Sequence, residues 1–333
     1  MTRVPRYLEL PDEPLDLSGF DPRFRARHVF EPKDVEAVNA ALAAGRPLLV
    51  RGEPGAGKSQ LARAAAVGLG RAFVASVIDA RTEGRDLQWT FDAVRRLADA
   101  QLRGADPELW RKREAQRNPE GEMEDLDELF YTEPGPLWWA FNWSGAAKQA
   151  KRSRAPEPVL PDECSPDRGT VVLLDEIDKA DSSVPNALLG CLGDGYFPAP
   201  GGTTVECGKI EPLVVVTTNE ERSLPDAFLR RCLVHQMRLP RKQENLTAWL
   251  VKRGRAHFGD RLDEGIYQDV AALLWKDRQT MLRAGLAPPG GAEYLDLLRI
   301  LVERAEDDPK RQDELLDVVA GFALKKHPTE ERD

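Results

Sequence analysis

The chain has little of what disulfide or transition-metal chemistry requires. Its 333 residues hold four cysteines and four histidines. Cys164, Cys191, Cys207 and Cys232 show no CxxC spacing, and His28, His235, His257 and His327 are scattered with no HExxH. That argues against zinc-ribbon and zincin sites and fits reduced thiols in a cytosolic setting. No apolar run approaches the ~20 residues of a membrane span. Met1 to Phe20 is rich in proline and acid and has no apolar signal core. The expectation is therefore a cytoplasmic protein that does not enter a membrane. Basic charge is in deficit, with 47 Lys and Arg against 56 Asp and Glu, for a net charge of −9. This counts against broad non-specific nucleic-acid binding. There is also no internal repeat.

What is present is a globular composition, 41% hydrophobic and 31% charged. The length suits a main domain plus a smaller one. The most informative run is Gly52-Glu53-Pro54-Gly55-Ala56-Gly57-Lys58-Ser59, which reads GxxxxGKS. The apolar Leu48-Leu49-Val50 precedes it, and Gln60, Leu61, Ala62, Ala65 and Ala66 open a helical stretch after it. That is the strand–loop–helix setting of a phosphate-binding loop. Glycines let consecutive backbone N–H groups turn toward phosphate oxygens, and the helix N-terminus adds its positive dipole. The loop and its helix start, Gly52 to Gln60, are the candidate nucleotide-binding residues, with Lys58 reaching the β- and γ-phosphates and Ser59 holding Mg²⁺.

A second motif lies at Val171-Val172-Leu173-Leu174-Asp175-Glu176. Four apolar β-formers suit a strand buried on both faces. Two carboxylates at its end suit the C-terminal edge of a parallel sheet, where ligands bind. Asp175 would help hold Mg²⁺, and Glu176 would orient and deprotonate an attacking water.

Elsewhere, residues 1–30 are expected to form an extended arm, with prolines at 5, 11, 14 and 22. Glu31 to Ala44 reads as a helix, with Pro32 at its start. Ala72 to Ile78 is a strand candidate. Residues 86–104 place Leu87, Trp89, Phe91, Val94, Leu97 and Leu102 at roughly helical spacing. Residues 105–135 are acidic and turn-rich, which predicts an insertion or surface hairpin. Trp138, Trp139, Phe141 and Trp143 read as a core helix rather than an interaction surface. Lys148, Lys151, Arg152 and Arg154 read as a solvated basic segment, with DNA or an acidic partner as the sharper alternative. A helix over 184–192, a hairpin within 193–212 and a buried strand from Leu213 to Thr217 follow. Residues 241–333 read as almost wholly helical, with a break near Pro288-Pro289-Gly290-Gly291.

Taken together, the order of motifs resembles AAA+ ATPases, and the MoxR-like branch in particular. The likeness rests on Gly135-Pro136-Leu137, on Asp175-Glu176-Ile177-Asp178-Lys179-Ala180, on Asn219-Glu220-Glu221-Arg222, and on Leu224-Pro225-Asp226-Ala227-Phe228-Leu229-Arg230-Arg231-Cys232. It implies an α/β AAA+ core over 31–240, a parallel sheet flanked by helices, and an all-α lid over 241–333. It also implies an insert near 80–135 and a hairpin near 195–212. Asn219 matches the sensor 1 position, which contacts the γ-phosphate. Arg231 matches the arginine finger that completes a neighbouring subunit's site, and Arg230 is the alternative; the other of the pair is expected to be structural. The lid departs from the usual pattern. Gly290-Gly291-Ala292-Glu293-Tyr294 carries glutamate where a sensor 2 arginine is expected, Arg299 lies two turns later, and no sensor 2 residue is assigned. The resemblance further implies ATP and Mg²⁺ as ligands and a homo-oligomeric ring, expected as a hexamer. The implied client is a protein, of the kind that carries a von Willebrand factor A domain. The competing readings are a nucleic-acid motor or restriction-type NTPase of the McrB-like kind, and a non-hydrolysing nucleotide switch.

Overall fold

The computed structural model describes residues 7–20, 26–117, 127–305 and 308–323. The chain opens with β1 (Leu15–Asp16) and β2 (Arg27–His28), which pair antiparallel. Next come α1 (Pro32–Ala44), β3 (Leu48–Gly52), α2 (Lys58–Leu69) and β4 (Arg71–Val77). An insert follows, with β5 (Trp89–Phe91), α3 (Ala93–Ala105), α4 (Pro107–Arg117) and β6 (Thr132–Pro134). The core resumes with α5 (Pro136–Phe141), α6 (Trp143–Ser153), β7 (Ser165–Asp175) and α7 (Ser183–Asp194). After it come the hairpin β8 (Tyr196–Ala199) and β9 (Thr203–Glu206), then β10 (Leu213–Thr218), α8 (Asp226–Leu229) and β11 (Leu233–Met237). Four helices close the described chain: α9 (Gln243–Phe258), α10 (Glu264–Arg283), α11 (Gly291–Ala305) and α12 (Pro309–Ala323).

The main sheet is five-stranded and parallel, in the order β11-β3-β10-β7-β4. Its central strands β3, β10 and β7 carry continuous apolar runs because helices cover both faces. Side chains alternate across the sheet. Leu48, Val50, Val171, Leu173, Leu213 and Val215 join one core with α1 and α2. Leu49, Val172, Leu174, Val214 and Val216 join the other with α5 and α7. On the first face, Ala62, Ala64, Ala65 and Ala66 are fully buried, so α2 lies close against the sheet. That same apolar cluster runs on into the C-terminal helices through Leu246, Leu250, Tyr267, Tyr294 and Leu298. On the second face, Trp138, Trp139 and Phe141 are buried, and Trp139 meets Trp143 edge-on at 5.0 Å.

One expectation needs correction. Residues 86–104 are not one helix. Leu87, Trp89 and Phe91 are spaced by two, which is strand spacing, and β5 pairs antiparallel with β6, Trp89 opposite Pro134. The helix begins only at Ala93, where the Asp92 carboxylate accepts the Arg95 N–H at 2.8 Å and caps the first turn. Of the two readings for residues 105–135, the insertion fits rather than the hairpin, with α4 in their first part; Asn118-Pro119 lies outside the described residues. The N-terminal arm, as far as it is described, packs down rather than standing free. Leu8 and Leu17 are buried, and the Leu8 backbone exchanges two hydrogen bonds with the Asn39 side chain, at 2.7 and 2.8 Å.

Candidate functional site

The loop between β3 and α2 is shaped by backbone that only glycine adopts cheaply. Gly55 and Gly57 have φ of 74° and 95°, and Gly57 caps α2 in the left-handed region. Lys58, the first helical residue, is buried. Its ammonium donates to Gly52 O at 2.7 Å, Glu53 O at 3.0 Å and Asn219 Oδ1 at 2.7 Å. Burial lowers the Lys58 pKa, and Asp175, Asp178, Glu176 and Glu220 oppose that shift. Two carbonyls and an amide oxygen thus hold the ammonium in place at the loop, with four carboxylates nearby.

Parallel pairing of β10 with both β3 and β7 brings the remaining residues to the same sheet edge. Ser59 Oγ donates to the Asp175 carboxylate, whose oxygens lie 2.9 and 2.8 Å away. Thr217 Oγ1 also donates to Asp175 and accepts the Glu176 N–H at 2.9 Å. Glu176 itself sits in the left-handed region with φ 63° and ψ 46°, an uncommon conformation for a residue with a side chain. Its carboxylate meets Lys179 Nζ at 2.9 Å and the Asn219 amide at 3.2 Å. Asn219 therefore bridges Lys58 and Glu176 through the two ends of one amide. Gln60 lines the same space, and its buried Oε1 makes no hydrogen bond among the described residues.

These groups open on a cavity of about 720 Å³. Its far walls come from the N-terminal hairpin (Leu17, Phe20, His28) and from α9 and α11 (Trp249, Arg253, Tyr294, Arg299). The C-terminal helices press directly on the phosphate-type loop. A side chain at Gly290 would come within 3.0 Å of Pro54 O, and one at Gly291 within 3.0 Å of Gly55 O. Arg278 of α10 donates to Glu53 Oε2 at 2.5 Å and to Pro289 O at 3.0 Å.

The residues fit a nucleoside triphosphate with a divalent cation. A glycine-shaped loop at a helix N-terminus and a buried lysine suit phosphates. The Ser59 hydroxyl beside the Asp175 carboxylate supplies the oxygen donors a hard dication takes.

The family pattern of the AAA domain (dynein-related subfamily) matches residues 47–232, more than half of the chain. The chain belongs to this AAA domain family. The matched segment runs from the residue before β3 to the one before β11, so it contains the loop, the acidic strand end and Asn219. No curated protein matches this AAA chain. Among solved structures, a candidate ATPase from Cytophaga hutchinsonii is 15% identical, with 87% of this chain and 79% of that chain covered, at a TM-score of 0.38.

Within the AAA domain, Arg230 and Arg231 follow α8 and are exposed. Neither lines this cavity. The sequence expectation that one of them is structural finds no support, since neither side chain has an ion pair among the described residues. Glu293 does not stand in for a sensor arginine. Its carboxylate accepts the Gly290 N–H at 2.9 Å and so caps the start of α11. Arg299, two turns on, is the α11 arginine that reaches the cavity wall, beside Asp296 at 3.1 Å. Sequence reasoning also missed Thr217, Arg278 and His28. Thr217 had a signal, as a hydroxyl two residues before Asn219 on a buried strand. Arg278 had none, because 225 residues separate it from Glu53.

Proposed function

We propose that this AAA domain protein hydrolyses ATP and works as a ring-forming, MoxR-like remodeller of a partner protein. The observation that carries the proposal is the single hydrogen-bonded chain Ser59–Asp175–Thr217–Glu176–Asn219–Lys58 at the mouth of a glycine-shaped loop. On this reading the loop N–H groups and Lys58 bind the β- and γ-phosphates. Glu176, held by Asn219 and Lys179, takes the proton of the attacking water. Asn219 positions that water against the γ-phosphate. Ser59 and Asp175 are the residues that would hold Mg²⁺, which when bound neutralises charge on the phosphate oxygens.

Arg231 would act in trans, with Arg230 beside it. Its exposure outside its own cavity supports this, because a finger has to reach a neighbour's γ-phosphate. A ring, expected as a hexamer, then follows from the need to complete each site. Direct contact of the C-terminal helices with Pro54 and Gly55 supports transmission of nucleotide state to the lid. The client on this reading is a protein, of the class that carries a von Willebrand factor A domain.

Mass photometry with and without ATP, on wild type and Glu176→Gln, tests the ring, and a pull-down on the ATP-bound variant tests the client. The expected result is a larger ATP-dependent assembly and a co-purifying protein. A protein that stays monomeric with bound ATP, or turnover stimulated by DNA instead, would contradict the reading.

A further inference from the structure

Asp178 is a buried carboxylate that the proposed chemistry does not use. It is 2% exposed and sits in a short 3-10 turn, Ile177–Lys179, just past the end of β7. The left-handed backbone of Glu176 swings the chain into that turn. One carboxylate oxygen, Oδ2, accepts the Glu221 N–H at 2.9 Å. The other, Oδ1, is buried with no hydrogen bond among the described residues. Burying a carboxylate with so few partners costs free energy, and natural structures seldom keep one without a reason.

The reason lies in the turn to which Glu221 belongs. Residues 219–222 leave the end of β10 and carry Asn219. They run beside the turn that carries Glu176, and three contacts join the two. The Asn219 amide donates to Glu176 at 3.2 Å, the Glu221 N–H to Asp178 at 2.9 Å, and Arg222 Nη1 lies 3.5 Å from Lys179 O. The middle contact is the shortest. The Asn219 turn is also one that has to be held. Glu220 has φ 62°, its N–H donates to the buried Thr218 hydroxyl at 2.9 Å, and its carboxylate meets Arg51 at 3.5 Å. A side-chain-bearing residue keeps such a backbone only where its surroundings fix it. Asn219 satisfies Lys58 and Glu176 at once through the two ends of one amide, so a small tilt of the turn breaks one bond or both. Asp178 also lies within electrostatic reach of Lys58.

We propose that Asp178 is a positioning residue for ATP cleavage: its buried carboxylate anchors the Asn219 turn and so sets Asn219 against Glu176. This rests on the reading of the cavity as an ATP-hydrolysing site, and adds the residue that aligns its two polar groups.

The test is single-turnover cleavage of Mg²⁺-loaded ATP by the full chain, beside calorimetry and amide hydrogen exchange. Asp178→Ala should slow cleavage about tenfold without weakening ATP binding, short of the ~10² that a misplacement of ~1 Å can cost. Asp178→Asn keeps the acceptor and drops the charge, and should recover most of the rate. Recovery by asparagine assigns the effect to the hydrogen bond and not to the field at Lys58. In an Asn219→Ala background, Asp178→Ala should cost nothing further, since no amide is left to position. In wild type the Glu221 N–H should be protected from exchange although the residue is exposed. Independent losses in the double variant, an asparagine variant as slow as the alanine one, or an unprotected Glu221 N–H would each overturn the inference while leaving the site reading intact. The exchange and asparagine measurements stand even if Asp178→Ala does not fold. If wild type cleaves no ATP, the site reading itself has failed, and this inference with it.

Discussion

The clasp between Arg278 and Glu53 offers a quantitative test of how the helical lid is tied to the loop. The two ends are unequal: the Arg278 side chain is 7% exposed and that of Glu53 is 43%. Removing the glutamate strands a buried guanidinium with only Pro289 O as partner among the described residues. Removing the arginine returns a half-exposed carboxylate to water. Breaking a fully buried pair costs ~3–5 kcal/mol. The exposure of Glu53 reduces this, so Glu53→Ala should cost about 2 kcal/mol without nucleotide. Arg278→Met keeps the stem volume and removes the charge, and should cost about 1 kcal/mol. With the charge gone there is nothing left to strand. The double variant should also cost about 1 kcal/mol, a coupling of about 2 kcal/mol. Urea unfolding followed by the fluorescence of Trp249 and Trp275, both in the C-terminal helices, reads this directly. Additive costs near 3 kcal/mol in the double variant, or a silent Glu53→Ala, would refute the reasoning.

Two further outcomes are expected. Arg231→Ala should keep ATP binding and lose most turnover, ~10³-fold on the scale of fingers supplied in trans. Mixing it with Lys58→Ala subunits should recover some activity, and no recovery from demonstrably mixed assemblies, or an essential Arg230, would reassign the finger. The His28 pKa falls from 6.5 to about 4 on folding. The stability this burial allows is therefore fully present above pH 6.5 and is lost as pH falls toward 4. That is about 3 kcal/mol across the window. Melting curves should show His28→Phe losing less stability than wild type between pH 7 and 4.5, and parallel losses would count against it.

Much of the fold was legible because it is written in local pattern. Leu48 to Lys58 carries its strand, glycine loop and helix in eleven consecutive residues, and Val171 to Leu174 announces a strand covered on both faces. The parallel sheet and helical C-terminal part follow from such runs. The insert was misread where two periods overlap: Leu87, Trp89 and Phe91 alternate as a strand, while Val94 and Leu97, both exposed, continue at helical spacing without being core. Apolar spacing alone does not mark the change; the cap at Asp92 does. The clasp of Arg278 on Glu53 and the placing of His28 on the cavity wall were not legible. Both depend on how α9, α10 and the N-terminal hairpin close over the loop, which is set by long-range packing rather than by neighbours in sequence.

The central claim is that Glu176, poised on Asn219 beside Lys58, activates water against a bound ATP. Quenched-flow single turnover with Glu176→Gln, beside calorimetry on the same sample, tests it most directly. The amide keeps size and hydrogen-bonding reach but cannot take the proton. The account predicts ATP affinity near wild type with cleavage slowed at least ~10²-fold, the lower range for loss of a general base. Wild-type turnover by Glu176→Gln, or a folded wild type that binds no ATP, would contradict it.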